Sequence, residues 1–422
     1  MAKKVFIVIL IGMFLISCPG VEAAVSEPLA NLINAALSNN PEILAAAKRY
    51  ESAKARIPQA KSPDDPAIGI KFEKSKGNPF NLRTSPDMDR MLSVSQMIPW
   101  FGRLPLKGKI ALVESQMYAS EYKNKELEII NKVKNTYYGL FMNYKEVELK
   151  EESLQFLKNI ARISEAKYVV GDIQQEDLFK INLEITRLSN DIANLLKERP
   201  VKETRLNSLL NRDPESPLGE PYMKEGVAPI QKETAVLYKL TLENQPELLV
   251  FSYAIERNKY AKDLAKKSYF PDIMAGIIMR GFTTGSIGPW DLMLAFTVPL
   301  WFWSKQRYQI KEAIANVEEA EAAYQAMKNI ALAQTKELLV KTDIAANKIK
   351  LYRDNQIPLL ESSISSSLSA YRSGQGDIMM LLDSQRMLIQ AKTDYYESLV
   401  EYNMDLADLE KNVGVDLSEV KK

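Results

Sequence analysis

The sequence contains no histidine and only one cysteine, Cys18. Without histidine it lacks the commonest general base and the commonest nitrogen ligand for metals. A lone cysteine excludes an internal disulfide framework and any thiolate metal cluster. Glycine is scarce, at 17 of 422 residues, and no glycine-rich nucleotide fingerprint is present. Gly102 to Lys109 faintly resembles a phosphate loop, but one residue too many precedes Gly108-Lys109, and Ile110 stands where Ser or Thr is needed. Neither sign of charge dominates. With 55 basic and 54 acidic residues the net charge is +1, so nothing favours nucleic acid as a partner. Past the first residues no apolar run reaches the ~18–20 residues of a membrane-spanning helix. Any contact of the mature chain with a membrane must therefore be made by strands. These absences speak against an enzyme, a bound metal or a cofactor.

What is present begins with an export signal. Lys3 and Lys4 precede an apolar core of twelve residues, Val5 to Ile16, and Pro19-Gly20 breaks it. Val21-Glu22-Ala23 offers the small residues that signal peptidase prefers, giving a signal over residues 1–23. A second reading competes: Leu15-Ile16-Ser17-Cys18 is a passable lipobox, in which the signal ends before Cys18 and that residue is lipidated. Either way the protein leaves the cytoplasm.

The remainder is rich in Ala, Glu, Lys, Leu and Gln, which predicts mostly helix, and it is written twice. Asn40-Pro41-Glu42-Ile43 recurs as Gln245-Pro246-Glu247-Leu248, and Pro66 as Pro271, both 205 positions later. Ile98-Pro99-Trp100-Phe101 corresponds to Val298-Pro299-Leu300-Trp301 after 200 positions, and Tyr168-Val169-Val170-Gly171 to Tyr371-Arg372-Ser373-Gly374 after 203. The repeats are expected over 24–210 and 231–414, with a proline-rich linker at 211–230 and a tail at 415–422. Each copy predicts an opening helix of about 30 residues (Leu29 to Lys61; Lys232 to Lys267), then two short alternating segments. A very long helix follows (Leu104 to Val170; Ser304 to Arg372), then a glycine turn and a return helix (Ile173 to Leu210; Ile378 to Val413). Leu178, Ile181, Ile185, Leu188, Ile192 and Leu195 step by three and four, which is coiled-coil spacing and builds packing rather than chemistry. Pro358 should kink or interrupt the second long helix.

Four strands are expected, at about 66–73, 91–98, 272–282 and 291–298. Ile68, Ile70 and Phe72 alternate with Gly69, Lys71 and Glu73, and Leu292, Leu294, Phe296 and Val298 alternate with Met293, Ala295 and Thr297. Trp100, Phe101, Trp290, Trp301, Phe302 and Trp303 cluster at the segment ends. Short alternating strands flanked by aromatics suit a transmembrane barrel. Two ordinary hairpins on a soluble sheet are the plainer reading, which the export signal and the aromatic flanks disfavour. Four strands are too few to close a barrel, so an oligomer must complete it.

The duplicated plan resembles the TolC-type outer-membrane efflux factors across essentially the whole mature chain. The specific stretches are Asn40-Pro41-Glu42-Ile43, Ser95 to Arg103 (SQMIPWFGR) and Tyr371 to Gln385 (YRSGQGDIMMLLDSQ). The second of these is most similar to the heavy-metal branch served by RND pumps. The resemblance implies a homotrimer: paired helical hairpins forming an α-barrel tunnel in the periplasm, capped by a shared twelve-stranded β-barrel in outer-membrane lipid. It implies a passive exit duct for small molecules or metal cations, working with a periplasmic adaptor and an inner-membrane RND-type or ABC transporter. Gly171, Asp172, Gly374, Gly376 and Asp377 would form the adaptor-docking tip turns, with both aspartates capping the return helices. Tyr371, Asp177 and Asp383 match gate positions, and Glu176 adds a further carboxylate; Met380 and Gly376 depart from the family pattern. Three copies of the acidic residues would make a cation-selective constriction. A type I protein-secretion duct is the same object with different cargo, and a periplasmic coiled-coil scaffold or adaptor is the remaining alternative.

Overall fold

The computed structural model describes residues 28–73, 89–224, 233–280 and 289–417. The export signal with Cys18 and both loops that join paired strands lie outside the described residues. The element order is α1 (Leu29–Asn39), α2 (Pro41–Lys61), β1 (Ala67–Glu73), β2 (Asp89–Ile98), α3 (Arg103–Val169) and α4 (Gln175–Leu209). It continues with α5 (Thr234–Asn244), α6 (Pro246–Lys266), β3 (Asp272–Arg280), β4 (Trp290–Thr297), α7 (Gln306–Leu351), α8 (Ile357–Arg372) and α9 (Ile378–Val413).

One expectation needs correction, and the interruption expected at Pro358 is present. The opening helix of each half is broken in two, at Asn40 and at Gln245. The residue before a proline is pushed out of the helical region, and these two adopt ψ of 124° and 114°. The proline then opens the next helix, where its missing N–H costs nothing. The second long helix is likewise not one piece. A π-helical turn at Tyr352–Gln356 separates α7 from α8, just ahead of Pro358. Proline cannot donate to the carbonyl one turn back and its ring crowds it, and the wider turn absorbs both defects.

The helices form a long, thin assembly, since the 67 residues of α3 extend ~100 Å at ~1.5 Å each. Burial is therefore distributed along α3 rather than gathered at one centre. One cluster joins α1, α3 and α4 through Leu32, Ile129, Val133, Leu140 and Leu206. A second joins α3, α7 and α9 through Phe141, Ile349, Leu399 and Tyr402. A third closes the far end around Leu157, Ile160, Ile181, Tyr371, Ile378, Leu381 and Leu382. Only a narrow seam of α4 is covered, with Ile181 buried while Phe179 and Leu183 beside it are exposed, whereas α9 is buried over a much broader face.

The four strands make one antiparallel sheet in the order β1-β2-β3-β4. Its register aligns like with like. Ile68, Val94, Ile277 and Leu292 form one cross-strand row, and Ala67, Ser95, Gly276 and Met293 another, on the opposite face. Because side chains alternate between faces, one side of the sheet is mainly aliphatic, and the other mixes small and polar residues with Met97, Met274, Ile278 and Met293. The aliphatic side chains stand in the open, with Ile68 71% and Leu292 63% exposed.

Candidate functional site

Two regions of the chain have surface chemistry that the fold alone does not require: the sheet, and the opposite end of the helices. At the sheet, aromatic rings collect where strands meet helices. Trp100 stacks on Phe270 with centroids 5.3 Å apart, and Trp303 packs edge-on against Trp301 and Phe302. Trp290 starts β4 at the other end. An open aliphatic face bordered by aromatics is the surface of a lipid-facing strand set. Arg103 fixes this sheet to the helices. Its guanidinium pairs with Asp272 at the start of β3 and donates to the Lys267 carbonyl at 3.0 Å. Asp272 also accepts from the Trp100 backbone at 3.0 Å. The junction thereby binds the start of α3 to the start of β3, a role that the sequence motif around Gly102-Arg103 did not disclose.

At the far end, α3 turns into α4 and α8 into α9. Gly374 has φ 78°, a left-handed conformation that a side chain would strain. Gly376 is needed for a different reason: a Cβ there would lie 2.8 Å from the Tyr371 nitrogen. The Gln375 and Gly376 amides both donate to the Ala370 carbonyl at 3.0 Å, closing the turn. Asp377 caps α9, its carboxylate accepting from the Met379 amide at 3.0 Å. Asp172 does not cap α4. Its place is inside the turn after Gly171, its amide donating to the Lys167 carbonyl at 2.9 Å, and Gln174 occupies the cap position without a side-chain bond. The first turn ends in exposed Val169 and Val170, whereas the second presents Arg372, Ser373 and Gln375.

The residues matched to a gate are brought to this end, with partners that differ from those expected. Tyr371 is buried between the two helical pairs, and its hydroxyl shares a 2.5 Å hydrogen bond with Ser164 of α3. Burial raises the phenol pKa, the Ser164 bond opposes that, and the Asp177 charge adds to the rise. Asp177 thus reaches Tyr371 through its field, while the hydroxyl is committed to Ser164. Glu176 pairs with Lys180 at 2.8 Å, and Asp383 with Arg386 at 3.2 Å. Lys180 is held above the usual lysine range first by its bond to Glu176, with Asp177 and Asp377 contributing. The three carboxylates therefore sit among cations. Arg386 also grips Glu184 of α4 in a two-pronged pair, Nε to Oε1 at 3.0 Å and Nη2 to Oε2 at 2.8 Å.

The Lys180 and Arg386 partners lie at helical spacing from their carboxylates and were legible in principle. The Ser164–Tyr371 and Glu184–Arg386 contacts span 207 and 202 positions. That is close to the 203-position offset between the two Tyr-bearing turns, so equivalent stretches of the two halves face each other, which is the signal that would have found them.

A lipid-facing sheet at one end of a long bundle of paired helices defines the class of outer-membrane export channels. Comparison with known proteins places the chain within it: residues 32–212 and 237–415 match the outer membrane efflux protein family, to which this chain belongs. It is 20% identical over 379 residues to the probable outer membrane lipoprotein SilC of Salmonella typhimurium, covering 86% of this chain and 80% of that one. To toxin and drug export protein A of Aggregatibacter actinomycetemcomitans it is 21% identical over 336 residues, 74% of this chain and 72% of that protein. The crystal structure of CusC superposes with a TM-score of 0.82 at 16% identity, covering 93% of each chain. The outer-membrane protein VceC of Vibrio cholerae gives 0.77 at 16% identity, over 92% and 96%. The protein is an outer-membrane efflux channel with most of its chain in the periplasm, and such channels work with an adaptor and an inner-membrane transporter in tripartite systems.

Proposed function

We propose that the protein is a homotrimeric, passive exit duct carrying small molecules or metal cations, and that it performs no chemistry on them. The observation that carries the trimer is the sheet: β1 and β4 are its two margins, and a four-stranded sheet with an open aliphatic face cannot seal itself in lipid. Three copies joined edge to edge supply twelve strands and leave no margin. The polar, small-residue face then lines the lumen. The chain divides into two repeats, 24–210 and 231–414, joined by a linker at 211–230, and the tandem element order supports this division. The leader over 1–23, or lipidation of Cys18, directs it outward.

The periplasmic end is the gate. Tyr371 anchors the second hairpin against the first, and Glu176, Asp177 and Asp383 set the charge around the mouth. The turns bearing Gly171, Asp172, Gly374, Gly376 and Asp377 receive the adaptor, and an RND-type or ABC pump supplies the energy. The relationship to a toxin and drug export protein fits a small-molecule cargo and equally the protein-secretion alternative. Purified protein in planar bilayers tests the reading. Wild type should show a small resting conductance, and the Tyr371→Ala/Asp177→Asn pair should raise it. A detergent-stable monomer without pores would return the chain to the scaffold class.

A further inference from the structure

Charge is balanced over the whole chain but not along the helices beneath the sheet. Four helix ends adjoin the strands: the close of α2, the start of α3, the close of α6 and the run into α7. The eleven residues nearest the sheet on each (52–62, 103–113, 257–267 and 301–311) hold 14 lysines and arginines and a single acidic residue, Asp263. The next eleven on each (41–51, 114–124, 246–256 and 312–322) hold 3 basic residues and 10 acidic ones. The sign of the charge therefore reverses below a layer about 16 Å deep, at ~1.5 Å per helical residue. Closer still to the strands, Asp272 is held by Arg103, which leaves Asp64 and Asp65 ahead of β1 as the remaining acids.

A surface that only has to stay in water gains nothing from such sorting, because like charges crowded together repel. Most of the basic residues also lack a carboxylate. Among the described residues only Arg103, Lys259 and Lys266 of the fourteen form ion pairs, with Asp272, Glu321 and Asp263. Several others are laid along rings or a glycine, which supports the apolar stem and leaves the charged head free. Lys109 lies over Tyr260, Lys267 over Phe270 and Lys311 over Tyr308, at 5.2, 5.5 and 5.1 Å from the ring centres. Lys61 crosses the buried Gly108 of α3, where a Cβ would come within 2.5 Å of the lysine Cγ. That glycine keeps open the bed in which the stem lies.

The depth of this layer follows from what stands above it. The sheet carries the open aliphatic face, and Trp100, Phe270, Trp301, Phe302 and Trp303 gather where strands meet helices. Aromatic rings settle at headgroup level. The basic layer comes next on the periplasmic side, within the ~8–10 Å over which surface charge is felt in salt. Anionic lipid draws lysine and arginine to that depth.

We propose that the four helix ends form a basic collar that binds anionic phospholipid headgroups of the periplasmic leaflet. This rests on the membrane-embedded sheet of the reading above and adds which lipid surrounds it. Ammonium and guanidinium groups donate charge-assisted hydrogen bonds to the phosphodiester oxygens. The acidic layer beneath repels the same headgroups, so charge sets the depth at which the protein seats as well as its lipid.

Full-length protein in nanodiscs of mixed phosphatidylcholine and phosphatidylglycerol tests it. Released from the discs, the oligomer is weighed by native mass spectrometry with the lipid it retains. Phosphatidylglycerol should be enriched several-fold over its share in the disc, and less so at high salt. Arg56, Lys107, Lys305 and Arg307 are exposed, and changing all four to Gln should bring the enrichment down to near the disc's own ratio. The same change at Lys158, Lys197, Arg205 and Lys336, exposed and farther down the helices, should leave it intact. The collar is overturned if wild type retains both lipids in the disc's ratio, or if the two sets of four act alike. It is also overturned if the collar variant keeps its lipid but loses an anion preference in planar bilayers, since the charges then serve the lumen. If wild type enters no disc of either lipid, the sheet is not a membrane surface and both readings fall. Migration of each variant as a heat-sensitive oligomer on gels establishes that it has folded.

Discussion

Asn40 and Gln245 occupy equivalent places, before the proline that opens α2 and α6, and their side chains do different work. The Asn40 carboxamide accepts from the amides of Glu42 at 2.8 Å and Ile43 at 3.4 Å, and donates to the Leu209 carbonyl at 2.9 Å. It caps one helix and the end of another together. Gln245 is a methylene longer, makes no cap bond, and turns to Asn412 at 3.1 Å, leaving its Oε1 without a partner in a buried setting. Asn40→Ala should therefore cost about 1–2 kcal/mol, the usual worth of a cap, and leave the Leu209 carbonyl short of a donor. Gln245→Ala should cost less. Thermal dissociation of the detergent-solubilised protein would rank the two, and equal losses would contradict this account. The duplicated Pro-Glu pair was plain in the sequence. The break before each proline follows from that local pattern; what was not plain is the bond of Asn40 to Leu209, which is set by tertiary approach.

Among the elements, α3 and α9 show how a thin bundle tolerates charge inside. Lys134 on α3 and Glu410 on α9 pair at 2.6 Å, with side chains 19% and 12% exposed. Burial holds the Glu410 carboxyl above the ordinary carboxylate range, against the pull of Lys134. A carboxyl whose folded form binds its proton more tightly than the unfolded form costs stability when ionised, and that cost is relieved as pH falls through the folded value. Lys134→Met should thus destabilise by about 3 kcal/mol near neutrality, and by less in mild acid, where Glu410 takes up a proton. Denaturation followed at both pH values checks the sign; a loss that grew on acidification would refute it. Helix type and length were largely legible, since seams stepping by three and four leave little choice. The π-turn at Tyr352–Gln356 was legible only as trouble at Pro358, because the form a defect takes depends on the neighbouring helix that holds the chain on course. The residues proposed for the gate could be placed near the turns from the sequence, but their partners could not: Ser164 and Glu184 carry no local mark.

For the whole molecule, the sheet is the most informative feature. Its rows show that alternation in the sequence was read on the correct faces, with Ile68, Val94, Ile277 and Leu292 on one side. Leu294→Arg places a charge on that aliphatic face and should cost about 2–4 kcal/mol if the position lies near the bilayer midplane. Ala295→Ser, on the opposite face, should be nearly neutral. Yield of assembled protein in outer-membrane fractions distinguishes the two, and equal tolerance of both would show that neither face meets lipid.

The two margins of that sheet are unlike each other, β1 on one side and β4 on the other. Joining them head to tail closes a ring only when every member is sound. A copy damaged at either margin would not merely drop out: it would occupy a place that a healthy copy needs and leave the circle broken. Inheritance should reveal this. A gene for a chain crippled along β4, expressed beside the intact gene, should behave as a dominant fault, silencing far more channels than its share of the protein.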